Sequence, residues 1–299
     1  MIKGNFLPHN FLGLDEADSG LENSKVVILP VPYERTVSFG RGTSKGPHSI
    51  IYASRSIELY DDELGCEPFE AGIHTLPELE CDVDPEDMVN DVQGVCVRLL
   101  EKNKFIITLG GEHSITLGAV RAHRNKRDTF SVLNIDAHCD LRDSYEGTKY
   151  NHACVMRRVI DEGCPVVEAG IRSYSKEEAD FIRERSDVKV IHAREILESG
   201  GDTNNKWIEE AVSNLLPDVY ISVDVDSFDP SVMPSTGTPE PGGLSWYDVL
   251  GLLRKTFLSK NVIGMDIVEF APLPGILGPD VLAAKLAYKS IGYKFYKNT

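Results

Sequence analysis

The feature that most constrains this chain is a series of short, almost continuously apolar runs separated by segments of helix length. They read VVILPV at 26–31, FIITL at 105–109, FSVLNI at 130–135, PVVEAG at 165–170, VKVI at 188–191, VYISVDV at 219–225 and VIGMDIV at 262–268. A strand open to water on one face alternates apolar with polar residues; runs this uniform belong to strands buried on both faces. Helical patterns are expected at 48–60, 85–100, 115–124, 176–185, 205–215, 246–257 and 281–288, between or after the runs. Such alternation predicts an α/β fold, a three-layer sandwich with a mainly parallel central sheet. The acidic stretch 61–87, broken by Gly and Pro, is expected to run over the surface. No internal repeat or low-complexity linker divides the chain, so a single domain across 1–299 is expected. In open sheets of this type ligands collect beyond the carboxyl ends of the strands.

Composition removes several classes of function. With 31 basic against 47 acidic residues the formal net charge is −16, which argues against a nucleic-acid partner. An acidic chain suits cationic small molecules better. Six cysteines in 299 residues are too sparse for a disulfide scaffold, and no two form a CxxC pair, so a thiolate zinc knuckle is not expected either. No run of 18 apolar residues is present, so no membrane span is expected. The opening MIKGNFLPHNFLG lacks a continuous apolar signal core, which makes a cytoplasmic location the expectation.

Three of the apolar runs end in candidate metal ligands. Run 130–135 leads into Asp136, Ala137, His138, Cys139 and Asp140. In extended chain side chains alternate, so Asp136, His138 and Asp140 would share one face while Ala137 and Cys139 pack opposite. Run 219–225 carries Asp224 and leads to Asp226, again on one face. Run 105–109 delivers Gly110, Gly111, Glu112 and His113, the glycines permitting close backbone approach. Four carboxylates gathered at apolar strand ends are costly unless cations compensate them. The mixed oxygen and nitrogen donors of His113, Asp136, His138, Asp140, Asp224 and Asp226 suit manganese better than a structural zinc site. Two metals with bridging carboxylates fit this set, and a single magnesium bound with a phosphorylated substrate is the rival. Arg172, just past the 165–170 run, is expected to order the mouth or bind a neighbouring acidic group, a structural role.

The ordered motifs Gly110-Gly111-Glu112-His113-Ser114, Asp136-Ala137-His138-Cys139-Asp140 and Ser222-Val223-Asp224-Val225-Asp226 resemble those of the ureohydrolases, the arginases and agmatinases. PYERTVSFGRGTSKGP near the start, TGTPEPGG at 236–243 and MDIVEFAP at 265–272 extend the resemblance over most of the chain. The resemblance implies an arginase-like sandwich, two Mn2+ per chain and hydrolysis of a guanidinium group to urea and an amine. On the matching positions Asp136 and Asp224 would bridge both metals. His113 and Asp140 would complete one metal's ligands, and His138 and Asp226 the other's. Asp140 would also orient the bridging hydroxide. Glu269 would hold the guanidinium cation, and His152 would move a proton toward the leaving amine. Related enzymes assemble as homotrimers or homohexamers, so oligomerisation is an expectation of the same kind.

The substrate expectation rests on the loop 141–158 and on PEPGG at 239–243, which look more like agmatinase than arginase. Agmatine, yielding putrescine, is therefore the leading substrate. The alternatives are arginine or a guanidino acid, a longer guanidino-polyamine, or metal binding without catalysis. Where agmatinases commonly have His-Gly-Thr this chain has His152-Ala153-Cys154, and Met156 replaces a common aromatic. These departures are expected near the entrance, where Tyr145 and Tyr150 would frame an alkyl chain. Gly40, Gly42 and Gly46 are expected to shape a wall of the site.

Overall fold

The computed structural model describes residues 8–198 and 206–296. Met1–Leu7 of the opening segment, and Asn205 at the start of one expected helix, lie outside the described residues. Eight strands form one sheet: β1 (Val26–Val31), β2 (Ile73–Thr75), β3 (Phe105–Gly110), β4 (Ser131–Ile135), β5 (Val166–Ile171), β6 (Val188–His192), β7 (Asp218–Asp224) and β8 (Asn261–Val268). Their order is β2-β1-β3-β8-β7-β4-β5-β6, and every paired neighbour is parallel.

The two faces bury alternate residues of the same strands, as the pleat requires. Val26 and Ile28 pack with the helices Gly46–Ser54, Lys206–Ser213, Trp246–Ser259 and Gly278–Phe295. Val27, Leu29 and Val31 pack with Pro85–Glu101, Thr116–Arg124 and Val155–Asp161. Helices therefore cover both sides, which is why the strands contain so few polar residues. Two of the helices carry complete capping boxes. Ser175 and Glu178 close the start of Lys176–Arg183, and Ser245 and Asp248 that of Trp246–Ser259.

The structure differs from the sequence reading in several stretches: short helices Glu16–Ser19 and Ala193–Glu198 lie where no element is expected, and the helix expected over 48–60 ends at Ser54. The acidic segment 61–87 contains the edge strand β2, whose three residues are too few to show a period. The loop 141–158 ends in a 3-10 turn, His152–Cys154, that feeds the helix Val155–Asp161. No helix among the described residues is long and apolar enough to cross a membrane.

Candidate active site

The carboxyl ends of β3, β4, β7 and β8 lie side by side at the centre of the sheet, and their following residues converge. After β3 the backbone turns so closely that a Cβ on Gly111 would lie 1.9 Å from the carbonyl oxygen of Tyr33. Only glycine fits there, and the turn drives the buried His113 inward. His113 Nε2 lies 2.9 Å from Ser222 Oγ, which donates to Asp266 Oδ1 at 2.6 Å; Tyr220 OH donates to Asp266 Oδ2. Because Ser222 spends its proton on Asp266, it accepts from Nε2–H, which leaves the Nδ1 lone pair of His113 free to ligate.

His113 Nδ1 faces Asp140 Oδ2 at 3.1 Å, Asp136 Oδ2 at 3.3 Å and Asp224 Oδ2 at 3.4 Å. Although buried, it makes no hydrogen bond of ordinary geometry. One nitrogen and three carboxylate oxygens converging with no hydrogen bond among them are the donor set of a hard-to-borderline cation. A second cluster shares Asp136: His138 Nδ1 lies 3.0 Å from Asp226 Oδ2 and 3.8 Å from Asp136 Oδ1. The structure thus gathers His113, Asp136, His138, Asp140, Asp224 and Asp226 into two adjoining groups capable of holding metal.

Simple strand alternation does not account for this convergence. Strand β4 ends at Ile135, and Asp136 Oδ1 accepts from the backbone N–H of His138 at 2.7 Å, an Asx-type turn. Asp140 has φ of 50°, in the left-handed region. Its carbonyl accepts from the N–H groups of Met156 and Arg157 at the start of Val155–Asp161. Strand β7 ends at Asp224, and Asp226 sits in the 3-10 turn Val225–Ser227. Asp226 Oδ1 accepts from Ala137 N–H at 3.1 Å and Oδ2 from Thr238 Oγ1 at 3.2 Å. Arg172 braces this turn, donating to the carbonyls of Asp226 and Glu240 at 2.7 and 2.8 Å and to those of Gly170, Ser227 and Phe228. It is an ordering residue, as expected from its place after β5.

The electrostatics show a centre short of positive charge. Burial opposes protonation of His138, yet Asp226, Asp136 and Asp140 raise it to about 11. Burial likewise opposes protonation of His113, and the three surrounding carboxylates raise it well above the ordinary value. Burial and neighbouring carboxylates push Asp224 up, and burial pushes Asp140 up to about 7. Protons are retained where negative charge is otherwise unbalanced, and divalent cations would displace them.

A cavity of about 260 Å³ opens above the clusters. His138, Asp140, Asp224 and Glu269 line its floor, and His152 and Tyr145 part of its wall. Glu269 follows β8, is buried with φ of 62°, and accepts from His113 N–H through Oε1 at 2.7 Å. Burial and the nearby Glu112 raise its carboxyl well above the usual range, a condition a bound cation would reverse. Burial and the positive charge of His113 and His138 push His152 down to about 4, so its imidazole is neutral at pH 7. The backbone N–H of His152 donates to Thr36 Oγ1 at 3.1 Å, and its ring Nε2 is 3.4 Å from Ser38 Oγ.

The model of the Arginase family matches residues 24–292. The chain belongs to the arginase family. As an arginase-family ureohydrolase it is a C–N hydrolase acting on linear amidines. The N(1)-aminopropylagmatine ureohydrolase of Synechocystis sp. is 42% identical over 294 residues, covering 96% of this chain and 94% of that protein. The agmatinase of Pyrococcus horikoshii is 35% identical, covering 91% and 93%. The crystal structure of agmatine ureohydrolase of Thermoplasma volcanium superposes with a TM-score of 0.85 at 36% identity, covering 98% of this chain and 96% of that one.

Within the arginase-family site, several sequence expectations need correction. Tyr150 does not line the cavity: its hydroxyl donates to Glu86 Oε1 at 2.9 Å, and its ring lies under Arg121. Cys154 and Met156 are fully buried and do not form the entrance, because they begin a helix packed on the sheet; Ala153 alone of the three lines the cavity. Gly40 lines the cavity, whereas Gly46 starts a helix where a Cβ would lie 2.5 Å from the Phe270 carbonyl oxygen. Sequence reasoning passed over Glu112, whose buried carboxylate accepts from the N–H groups of Arg35 and Thr36, from Thr36 Oγ1 and from Ser114 Oγ. It anchors the 33–40 loop to the metal side of the site. Its place inside GGEHS, beside His113, was the available signal.

Proposed function

We propose that the protein hydrolyses a guanidino-polyamine of the N(1)-aminopropylagmatine type to urea and spermidine, using two Mn2+ per chain. The observation that carries this reading is the 42% identity over nearly the full length to a relative of that name, against 35% for an agmatinase. It replaces agmatine as the leading substrate, leaving agmatine as the shorter alternative. The cavity supports a cationic, elongated ligand: carboxylates line its floor and aromatic side chains its outer wall.

His113, Asp136, Asp140 and Asp224 would hold one cation, and Asp136, His138, Asp224 and Asp226 the other. Bound there, the cations would supply activation of water near neutral pH and neutralise the gathered carboxylates. Glu269, held by His113 N–H, orients the guanidinium and offsets its charge. The neutral imidazole of His152 accepts a proton at Nε2 and returns it to the departing amine. Asp140 fixes the position of the attacking oxygen through its carboxylate. Thr36 and Glu112 keep His152 at the wall.

The test is urea release from N(1)-aminopropylagmatine, agmatine, arginine and guanidinobutyrate after manganese loading, compared as kcat/KM. N(1)-aminopropylagmatine is expected to exceed the others by about tenfold or more. A higher value for agmatine or arginine overturns the substrate reading while leaving the reaction class.

A further inference from the structure

At the rim of the cavity stands a side chain that the fold does not use. Phe39 lines the opening yet is 81% exposed. Every other described phenylalanine is buried or half-buried, so this one contributes little to folding. Its backbone, in contrast, is firmly held. On one side Arg35 and Thr36 are bound to the buried Glu112. On the other, Gly40 N–H donates to the Gly237 carbonyl at 3.0 Å, in contact so close that a Cβ on Gly40 would approach that oxygen to 2.6 Å. Glu34 clamps the loop further by accepting from Gly42 N–H and Ser44. A braced loop presenting an unpacked aromatic over a carboxylate-floored cavity is a preorganised contact for ligand.

Position decides which part of a ligand it meets. The guanidinium must reach Glu269 on the floor, so the far end of a long chain emerges at the rim. An aminopropyl arm adds methylenes and a further ammonium to agmatine. Methylenes pack on an aromatic ring, and an ammonium is attracted to its face. The other aromatic side chains of the opening are engaged elsewhere: Tyr145 lies under the Arg142 guanidinium, 4.9 Å from its ring centroid, and Tyr174 stacks on His192. Among the described residues, no ring or cation packs against Phe39.

We propose that Phe39 is the specificity-determining residue for the distal aminopropyl-ammonium arm, a reading that rests on the guanidino-polyamine substrate proposed above. The experiment compares wild type with Phe39→Ala, Phe39→Leu and Phe39→Tyr on N(1)-aminopropylagmatine and on agmatine. Phe39→Ala is expected to lower kcat/KM for the longer substrate about tenfold, chiefly through KM, and that for agmatine less than twofold. Phe39→Leu should recover part of the loss and Phe39→Tyr nearly all. Calorimetry with the amines alone gives a second readout: Phe39→Ala should weaken spermidine and leave putrescine unchanged. Equal losses on both substrates, or none on either, overturn the assignment of Phe39 with the substrate reading intact. Failure of the substrate reading shows in wild type alone, as no preference for the longer substrate, and removes this proposal with it.

Discussion

The backbone N–H of His113 donates to Oε1 of Glu269 at 2.7 Å, so a metal-side histidine and the carboxylate proposed for the guanidinium share one rigid joint. The two residues follow β3 and β8, which are adjacent in the sheet, with Ile107 opposite Met265 in register. Movement of either strand end would displace both functions together.

Glu269→Gln keeps the shape and removes the charge. It is expected to lower kcat/KM by about a hundredfold with metal content unchanged. Metal analysis of the purified variant beside its kinetics checks this; wild-type efficiency would remove Glu269 from the substrate site.

Metal stoichiometry tests the two adjoining clusters. Manganese loading followed by removal of loose ion should leave two ions per chain. Asp136→Asn and Asp224→Asn should reduce both, whereas Asp226→Asn should mainly reduce the His138 side. A single retained ion with full activity, or normal occupancy in both bridging variants, would contradict the assignment.

Arg172 offers a separate handle on one metal. Its guanidinium binds the main-chain carbonyls of Asp226 and Glu240 and touches no proposed ligand atom. Arg172→Ala is expected to weaken the second ion about ten- to a hundredfold in affinity and leave the first unchanged, read by metal titration. Equal weakening of both would point to general loosening of the site.

Acid stability should report His123, which is buried against Phe130 and Tyr220, away from the metal ligands. Burial, then Arg127 and Lys126, push it down to about 3 from 6.5. Between those values the unfolded chain binds a proton that the folded chain refuses, so stability is full above pH 6.5 and falls as pH drops. The slope from this group reaches about 1.4 kcal/mol per pH unit. Denaturant unfolding of the metal-free protein between pH 7 and 4.5 should show that slope reduced in His123→Gln.

The sheet was legible because strands buried on both faces contain little except apolar residues: β1 begins and ends where VVILPV does. Three-residue β2 was not, since its pairing to β1 is a tertiary event that its acidic flanks do not announce. Among site residues, Asp224 and Asp226 were readable as neighbours on one strand, but the bond from Asp226 N–H to Asp224 Oδ1 belongs to a turn. The left-handed backbone of Glu269 carries no local sequence mark, because glycine, asparagine or aspartate is what such positions ordinarily select; Asp140 is of that enriched type, but a single aspartate does not announce the turn. Tyr150 was misplaced because its ring is claimed by Arg121 and its hydroxyl by Glu86, partners far from it along the chain.

The sheet order also dictates when the site can exist during synthesis. Strands β7 and β8, the last to leave the ribosome, occupy the middle of the sheet between β3 and β4. A nascent chain that stops before them has two central edges with no partner between, each apolar and open to pairing with another chain. Because His113 precedes that gap and Asp136 follows it, the ligands cannot be brought together until the gap is filled. The enzyme therefore cannot ripen from its amino end onward; it closes at its centre, late, and prematurely ended chains should be insoluble rather than partly active.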